Sequence, residues 1–294
     1  FGMRNVECRN GMMTVNGKRV FQRLVLDQGF YPDGIYTAPD DSALENDIKL
    51  SMDMGFNGAR LHQKIFEERF LYHCDRLGYM VWGEYPNWGL DESVPAAWAD
   101  FLEEWTDTLE RDFNHPAIVG WCPFNETSHD DEKKLVAFTA DLTSKLDETR
   151  PVIDTSGWFH TGHGDISDTH DYDQDPESFR ARLDGLKNGA IVCPHVNKYG
   201  SYTFVSEYGG IAWAAEGGWG YGNAPQSEEE FLSRLSGLTM AILDNNRIFG
   251  LCYTQLTDVE QEKNGLYTYD RKPKFNTDTI KLIFTQAAAY EEKN

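Results

Sequence analysis

The sequence predicts a barrel of eight parallel strands, each followed by a helix, and three observations lead there. Short apolar runs alternate with longer amphipathic ones along the chain, in strand-then-helix order. The runs can be counted to eight. Carboxylates and aromatics gather where the strand-like runs end, which is where a (β/α)8 barrel carries its chemistry. The length of 294 residues fits one such domain, since barrels of roughly 250 residues commonly run as a single unit.

The first strand is Val20 to Asp27, behind a hairpin-like turn at Val15-Asn16-Gly17-Lys18. A helix over Asp41 to Met54 follows, then a strand at Asn57 to His62. Ile65 to Leu77 reads as helix, with Phe66, Phe70, Leu71 and Cys74 on one face. Tyr79 to Glu84 is the third strand and Ala96 to Asn114 its helix. Ala117 to Asn125 is the fourth strand, followed by helix Lys133 to Leu146. Pro151 to Ser156 is the fifth strand. Asp165 to Tyr172 holds the sixth, with helix Pro176 to Leu186 behind it. Thr203 to Glu207 and helix Glu228 to Asn245 form the seventh unit. Phe249 to Gln255 and a closing helix Thr277 to Tyr290 form the eighth. Residues 1–19 fall outside the repeat and read as a linker remnant plus a capping hairpin, leaving 20–294 as the barrel.

Net charge is −21, from 27 basic and 48 acidic residues. Such a surface repels phosphate backbones and anionic membranes, so nucleic acid and membrane are not expected partners. No run approaches the ~18 apolar residues of a membrane span. The five cysteines (Cys8, Cys74, Cys122, Cys193, Cys252) are odd in number and form no CxxC pair. They read as scattered thiols, which favours a reducing, cytoplasmic setting.

The strand ends carry the chemistry. In order they present Asp27; Arg60 and His62; Trp82 and Glu84; Trp121, Asn125 and Glu126; Asp154 and Trp158; His170 and Tyr172; Glu207 and Tyr208; Tyr253 and Gln255. Aromatic faces stack on pyranose C–H groups and acids bind hydroxyls, so this set suits a sugar. Gly120-Trp121-Cys122-Pro123-Phe124-Asn125-Glu126 and Phe204-Val205-Ser206-Glu207-Tyr208 each drive an apolar strand into a glutamate. These are strands four and seven, which face each other across a barrel of eight. Two carboxyls there can flank one glycosidic bond, one protonating the leaving oxygen and the other attacking the anomeric carbon. Separate environments would fit them to acid and nucleophile roles.

These residues also carry a family resemblance. Asn125-Glu126 and Ser206-Glu207-Tyr208-Gly209 resemble the signatures of retaining (β/α)8 glycosidases. Val15-Asn16-Gly17-Lys18-Arg19-Val20 resembles the "NGKPV" hairpin of glycoside hydrolase family 2, the β-galactosidase and β-glucuronidase family. Phe56 to His62 resembles its "N-x-x-R" strand, and Cys74 to Glu84 its "CD-x-x-G" segment. Phe113 to Trp121 resembles "NHPSI-x-x-W", and Asp270-Arg271-Lys272-Pro273-Lys274 the "R-x-PK" close. The resemblance implies a retaining exo-β-glycosidase that needs no cofactor. Glu126 would be acid/base and Glu207 nucleophile. Asn125 would meet the substrate 2-hydroxyl and Tyr172 the nucleophile. His62, Glu84, Trp158 and Tyr253 would line the sugar pocket. It also implies upstream jelly-roll and immunoglobulin-like domains in a full-length parent. Glu262-Lys263-Asn264-Gly265 stands where β-glucuronidases place an Asn-x-Lys pair for the sugar carboxylate. That departure points to a neutral sugar, galactose first.

Two other classes compete. His160, His163, Asp165, His170 and Asp171 could suggest a metal-dependent hydrolase, but no H-x-H follows the first strand and no H-E-x-x-H occurs. A catalytically silent carbohydrate-binding barrel would have to keep both glutamates while losing function elsewhere. Trp213 to Tyr221 reads as a flexible loop, either a lid or platform or simple loop packing. Arg60 is expected to orient Glu207 or to serve as a barrel-interior ion pair.

Overall fold

The computed structural model describes residues 2–9, 12–91, 93–127, 133–188, 202–213 and 217–292. The chain enters through an antiparallel hairpin, β1 (Val6–Arg9) with β2 (Met12–Val15). Asn16 and Gly17 follow with φ of 51° and 71°, the left-handed pair that a tight turn requires. Arg4 anchors this end through the carbonyl of Pro116 at 2.9 Å, and the Tyr290 hydroxyl donates to the Met13 carbonyl.

Strand–helix units follow: β3 (Gln22–Asp27) and α1 (Asp41–Asp53), β4 (Gly58–Leu61) and α2 (Glu68–Leu77), β5 (Met80–Glu84) and α3 (Pro95–Asp112), then β6 (Ile118–Cys122) and α4 (Lys133–Leu146). After the fifth segment come β7 (Asp168–Asp171) and α5 (Pro176–Asp184), β8 (Thr203–Gly209) and α6 (Glu228–Leu243), and β9 (Ile248–Thr254) and α7 (Thr277–Phe284). Local chemistry sets the helix ends. Asp40, Asp175, Ser227 and Asn276 each accept a backbone N–H of the first turn. Pro95 and Pro176 open α3 and α5, and Gly78 closes α2 at φ 70°.

The parallel sheet runs β6-β5-β4-β3-β9-β8-β7. Residues 151–156 lie between its two ends. They pair with β6 and beyond: Trp121 N donates to Pro151 O at 3.0 Å, Ile153 N to Trp121 O at 2.9 Å, and Ser156 N to Phe124 O at 2.9 Å. The expected fifth strand is therefore a bridged segment and not a regular strand. Pro151 lacks an N–H, and the Asp154 and Ser156 side chains bond Thr155 N and Asp168, so side chains compete with the ladder. The expectation of eight complete units is corrected too, since residues 157–167 contain no helix.

Two helix boundaries differ as well. The helix expected from Ile65 begins at Glu68, because the Phe66 carbonyl is held by Arg111 at 2.8 Å. The closing helix stops at Phe284, and the chain beyond it turns Tyr290 into the base.

Inward-facing side chains fill the barrel in layers. Trp82 donates to Gln22 at 2.8 Å and stacks on Phe204 at 5.8 Å. Gly120 faces the Trp82 ring so closely that a Cβ there would clash. Above this layer come Arg60, on β4, and Glu84, two residues past Trp82 on β5. Among the described residues no helix is long and apolar enough to cross a membrane, and Cys8, Cys74, Cys122 and Cys252 form no disulfide. Cys193 lies outside the described residues.

Candidate active site

Arg60 is the hub. Period-two alternation on β4 turns it inward with Gly58, and it is wholly buried. Its Nε donates to Glu84 at 2.8 Å, one Nη to Glu207 at 2.7 Å and the other to Asn125 Oδ1. A guanidinium offers this fork of fixed donors; an ammonium does not.

Glu207 reaches the barrel interior through a β-bulge. The β7–β8 register shifts so that Thr169 pairs with Val205 and His170 with Glu207. The extra residue lets both Ser206 and Glu207 face inward, as bulges do when they re-aim a side chain. Glu207 is 4% exposed. One oxygen takes Arg60 and lies 3.3 Å from His170 Nε2; the other accepts from Tyr172 at 2.5 Å. Burial alone would push its carboxyl up. His170, Arg60 and His62, with the Tyr172 hydroxyl, outweigh that and hold it at about 2.

Glu126 follows β6 with φ of 54°, a conformation a non-glycine residue adopts at some cost. Its N–H donates to the Ser156 carbonyl at 2.8 Å, which fixes the kink. Its carboxylate is more open, 28% exposed, and lies 2.8 Å from His170 Nδ1. One oxygen of Glu126, one ring nitrogen of His170 and one oxygen of Glu207 all lie within 4.8 Å of one another.

The other expected site residues divide. Asn125 is buried beside Arg60, with its Oδ1 occupied by the guanidinium and its buried Nδ2 without a partner. Tyr172 bonds Glu207 and Thr254 and stacks on Tyr221 at 3.5 Å. His62 lies 3.0 Å from Glu84 and meets the Trp88 ring edge-on at 5.1 Å. Trp158 stands at the rim, 51% exposed, with its ring edge-on to His170.

Two residues do not line the pocket. The Glu84 side chain is fully enclosed and spent on Arg60, His62 and Gln63. Burial pushes its carboxyl up, but Arg60 and His62 outweigh this and hold it below the ordinary value. Tyr253 alternates outward on β9 and packs against Tyr208 and Phe284, because Thr254, its neighbour, takes the inward position beside Tyr172.

His170, one of the strand-end residues, spans both glutamates, with Nδ1 2.8 Å from Glu126 and Nε2 3.3 Å from Glu207. The signal was there: Asp168 and His170 alternate on one short strand. The Trp213 to Tyr221 loop, outside 214–216, docks on the loop after β9 through Trp219 N to Gln261 O at 2.8 Å. In that loop Glu262 accepts from Gln28 and Asn264, both at 3.1 Å. Burial pushes its carboxyl up.

The histidines of the sequence cluster disperse. His160 is buried between Asp154 and Asp168 at 2.7 and 3.2 Å, and His163 pairs with Asp141 near the surface. Asp171 pairs with Arg182. Among the described residues, Glu126, His170 and Glu207 are the group close enough to share an ion. However, Arg60 Nη1 already sits 2.7 Å from Glu207 and 3.4 Å from His170, and a dication there would face that fixed charge.

Comparison with known proteins agrees with this architecture. Residues 6–218 match the pattern described as "Glycosyl hydrolases family 2, TIM barrel domain". A β-galactosidase of Alteromonas mediterranea is 33% identical over 174 residues, covering 56% of this chain and 16% of that protein. A putative β-glucuronidase of Formosa agariphila is 28% identical over 152 residues, covering 48% and 18%. Among solved structures, a β-galacturonidase of Eisenbergiella tayi bound to galacturonate superposes with TM-score 0.81 at 19% identity, over 96% of this chain and 54% of that one. A β-glucuronidase from an uncultured Clostridium gives 0.80 at 20%, over 97% and 54%. The chain thus spans about a sixth of those curated relatives and about half of those solved chains.

Proposed function

The chain belongs to glycosyl hydrolases family 2, as its TIM barrel domain, and from that premise we propose that it is the catalytic part of a retaining exo-β-glycosidase. One observation carries the reading. Two carboxylates lie with oxygens within 4.8 Å, in opposite environments: Glu207 buried and held ionised, Glu126 open to the rim. Retaining enzymes place such carboxyls about 5–5.5 Å apart, inverting ones about 6.5–9.5 Å.

Glu207 attacks the anomeric carbon while Glu126 gives its proton to the departing oxygen. The C–O bond breaks and a glycosyl ester forms on Glu207. Glu126, now a carboxylate, takes a proton from water as the water oxygen attacks that carbon and Glu207 leaves. The unpartnered Nδ2 of Asn125 is placed to donate to the sugar 2-hydroxyl, and such contacts strengthen in the transition state. Tyr172 and Arg60 keep the nucleophile aligned and ionised, while Trp158, Trp88 and His62 offer the stacking faces.

The sugar is neutral and β-linked, galactose first. A sugar carboxylate near Glu207 and Glu262 would meet like charges in a partly dry pocket. The Lys263 stem lies against Gly218, and Asn264 holds the place of the lysine in the uronide-binding pair. The β-galactosidase relatives favour the same sugar. The rest of the relatives' length corresponds to further domains, including upstream ones, in a full-length parent. A panel of nitrophenyl glycosides, run on this chain and on a longer parent, tests the reading. A 2-deoxy-2-fluoro glycoside should label Glu207 and the product should keep its anomeric configuration. Inversion, or label elsewhere, overturns the mechanism; uronide turnover well above galactoside overturns the sugar.

A further inference from the structure

His170 has a role that the two-carboxylate scheme leaves open, and hydrogen-bond accounting around it is unusually tight. Ser156 Oγ donates to Asp168 Oδ2 at 2.5 Å, and Ser206 Oγ donates to the same oxygen. Each hydroxyl has one proton, and a carboxylate is the stronger acceptor. Ser156 therefore turns a lone pair to His170 Nε2, 2.9 Å away. Glu207 Oε1, also an acceptor, stands 3.3 Å from the same nitrogen. The facing donor, Arg60 Nη1, lies farther off at 3.4 Å and is already spent on Glu207. Two acceptors thus fix a proton on Nε2, and Nδ1 is left facing Glu126 at 2.8 Å.

We infer that His170 is a positioning residue for the catalytic proton, pinned as Nε2–H by the Asp168–Ser156 relay so that Nδ1 and the Glu126 carboxyl form one proton-sharing pair. This rests on the reading of Glu126 as acid/base. In the form carrying both ring protons, Nδ1–H donates to Glu126 Oε1 and leaves the acid proton on the other oxygen. That proton passes to the leaving oxygen as its bond to the sugar breaks. The new carboxylate is then met by the Nδ1–H, and water returns a proton to Glu126 in the second step. The ring gains and loses nothing over the cycle. Among the described residues, the charged groups that face it are Glu126 after β6, Glu207 on β8, Arg60 on β4 and, through Ser156, Asp168 on its own strand.

The test uses His170→Asn, with His170→Gln as the second variant should the first fold poorly. Asparagine keeps a donor toward Glu126 but cannot hold a second ring proton or its charge. An opposite charge within about 4–6 Å lowers a carboxyl by roughly 1–3 pH units. Removing it should therefore move the acid limb of the kcat/KM pH profile upward, because the His170 charge helps hold the Glu207 carboxyl down. A merely orienting histidine would lower the plateau and leave that limb in place, and that result overturns the inference. A second readout needs no turnover. In long-range 15N–1H spectra of [15N]histidine protein, His170 should keep Nε2–H in the wild type, and Glu126→Gln should perturb chiefly the Nδ1 signal. Ser156→Ala should loosen the tautomer. A bare Nε2 in the wild type overturns the inference. A wild-type chain that turns over no glycoside would count against the proposed function, while the spectra would still decide the tautomer.

Discussion

Removing the guanidinium at the barrel's centre gives the sharpest test of how this site is built. Arg60→Met keeps most of the apolar stem and deletes a fork that bonds Glu84, Glu207 and Asn125. Both carboxylates stay buried, at 2% and 4% exposure. Removing one partner of a buried ion pair costs about 3–5 kcal/mol, because the other charge is left without compensation. At roughly 2–4 °C per kcal/mol for a domain near this size, the melting temperature at pH 7 should fall by about 10 °C. The pH dependence supplies a check on sign. Glu207 sits at about 2 against an ordinary 4.5, a gap worth about 3 kcal/mol at 1.36 kcal/mol per pH unit. A depressed carboxyl stabilises the fold above its unfolded value and loses that contribution as pH falls from about 4.5 toward 2. Arg60→Met should flatten this acid dependence as well as lower the melting temperature. Arg60→Lys should fall between the two, since it keeps the charge and loses the fork. Calorimetry at pH 7 and pH 3 measures both quantities. A change under about 2 °C at pH 7, or an undiminished acid slope, would refute the hub assignment.

Other outcomes follow from the same geometry. Glu207→Ala should abolish nearly all turnover. Glu126→Ala should lose about 10²–10⁴-fold on poor leaving groups, with azide restoring turnover of activated aryl glycosides, read by initial rates and azide-adduct detection. Tyr172→Phe removes a bond to the charged nucleophile and should cost about 10- to 100-fold in kcat/KM. His160, where Asp154 and Asp168 outweigh burial and raise the ring to about 9, should show the opposite pH sign to Glu207. Its contribution is complete below about 6.5 and lost as pH rises through about 9, so His160→Asn should flatten denaturant-measured stability over that window. Chelators should leave activity intact; abolished activity that a divalent cation restores would favour the metal reading.

Strand order and the two glutamates were legible because both are one-dimensional signals. Apolar runs ending in Asn125-Glu126 and Ser206-Glu207 mark strand ends wherever the strands sit in space. What the sequence hid depends on neighbours. Glu84 and Tyr253 both stand at strand ends, yet Glu84 is consumed by Arg60 and Tyr253 faces the helices. For Tyr253, a one-residue choice between it and Thr254 decides which points inward, and periodicity cannot choose without a partner strand. The bulge at Ser206 is hidden for the same reason. So is the pairing of Glu262 with Gln28, 234 residues away in sequence.

The barrel is least regular where its polar chemistry is densest, and the two facts have one cause. Residues 151–158 read Pro-Val-Ile-Asp-Thr-Ser-Gly-Trp, with three apolar side chains in the first half and only Trp158 after them. A fully laddered strand there would turn Asp154 and Ser156 into a sheet with no room for their hydrogen bonds. The segment instead keeps its pairing to the β6 side and turns side chains toward β7. Asp154 reaches His160, and His160 and Ser156 both reach Asp168. The barrel closes on that side largely through side chains, with one main-chain bond from Asp165 N to Val152 O at 2.7 Å. The same closure sets Ser156 Oγ against His170 and, through its carbonyl, kinks Glu126 into position. Replacing Ser156 should therefore disturb both stability and proton handling. A mutation of comparable size on regular β9, such as Leu251→Val, should cost about 1 kcal/mol of packing and leave the pH profile unmoved.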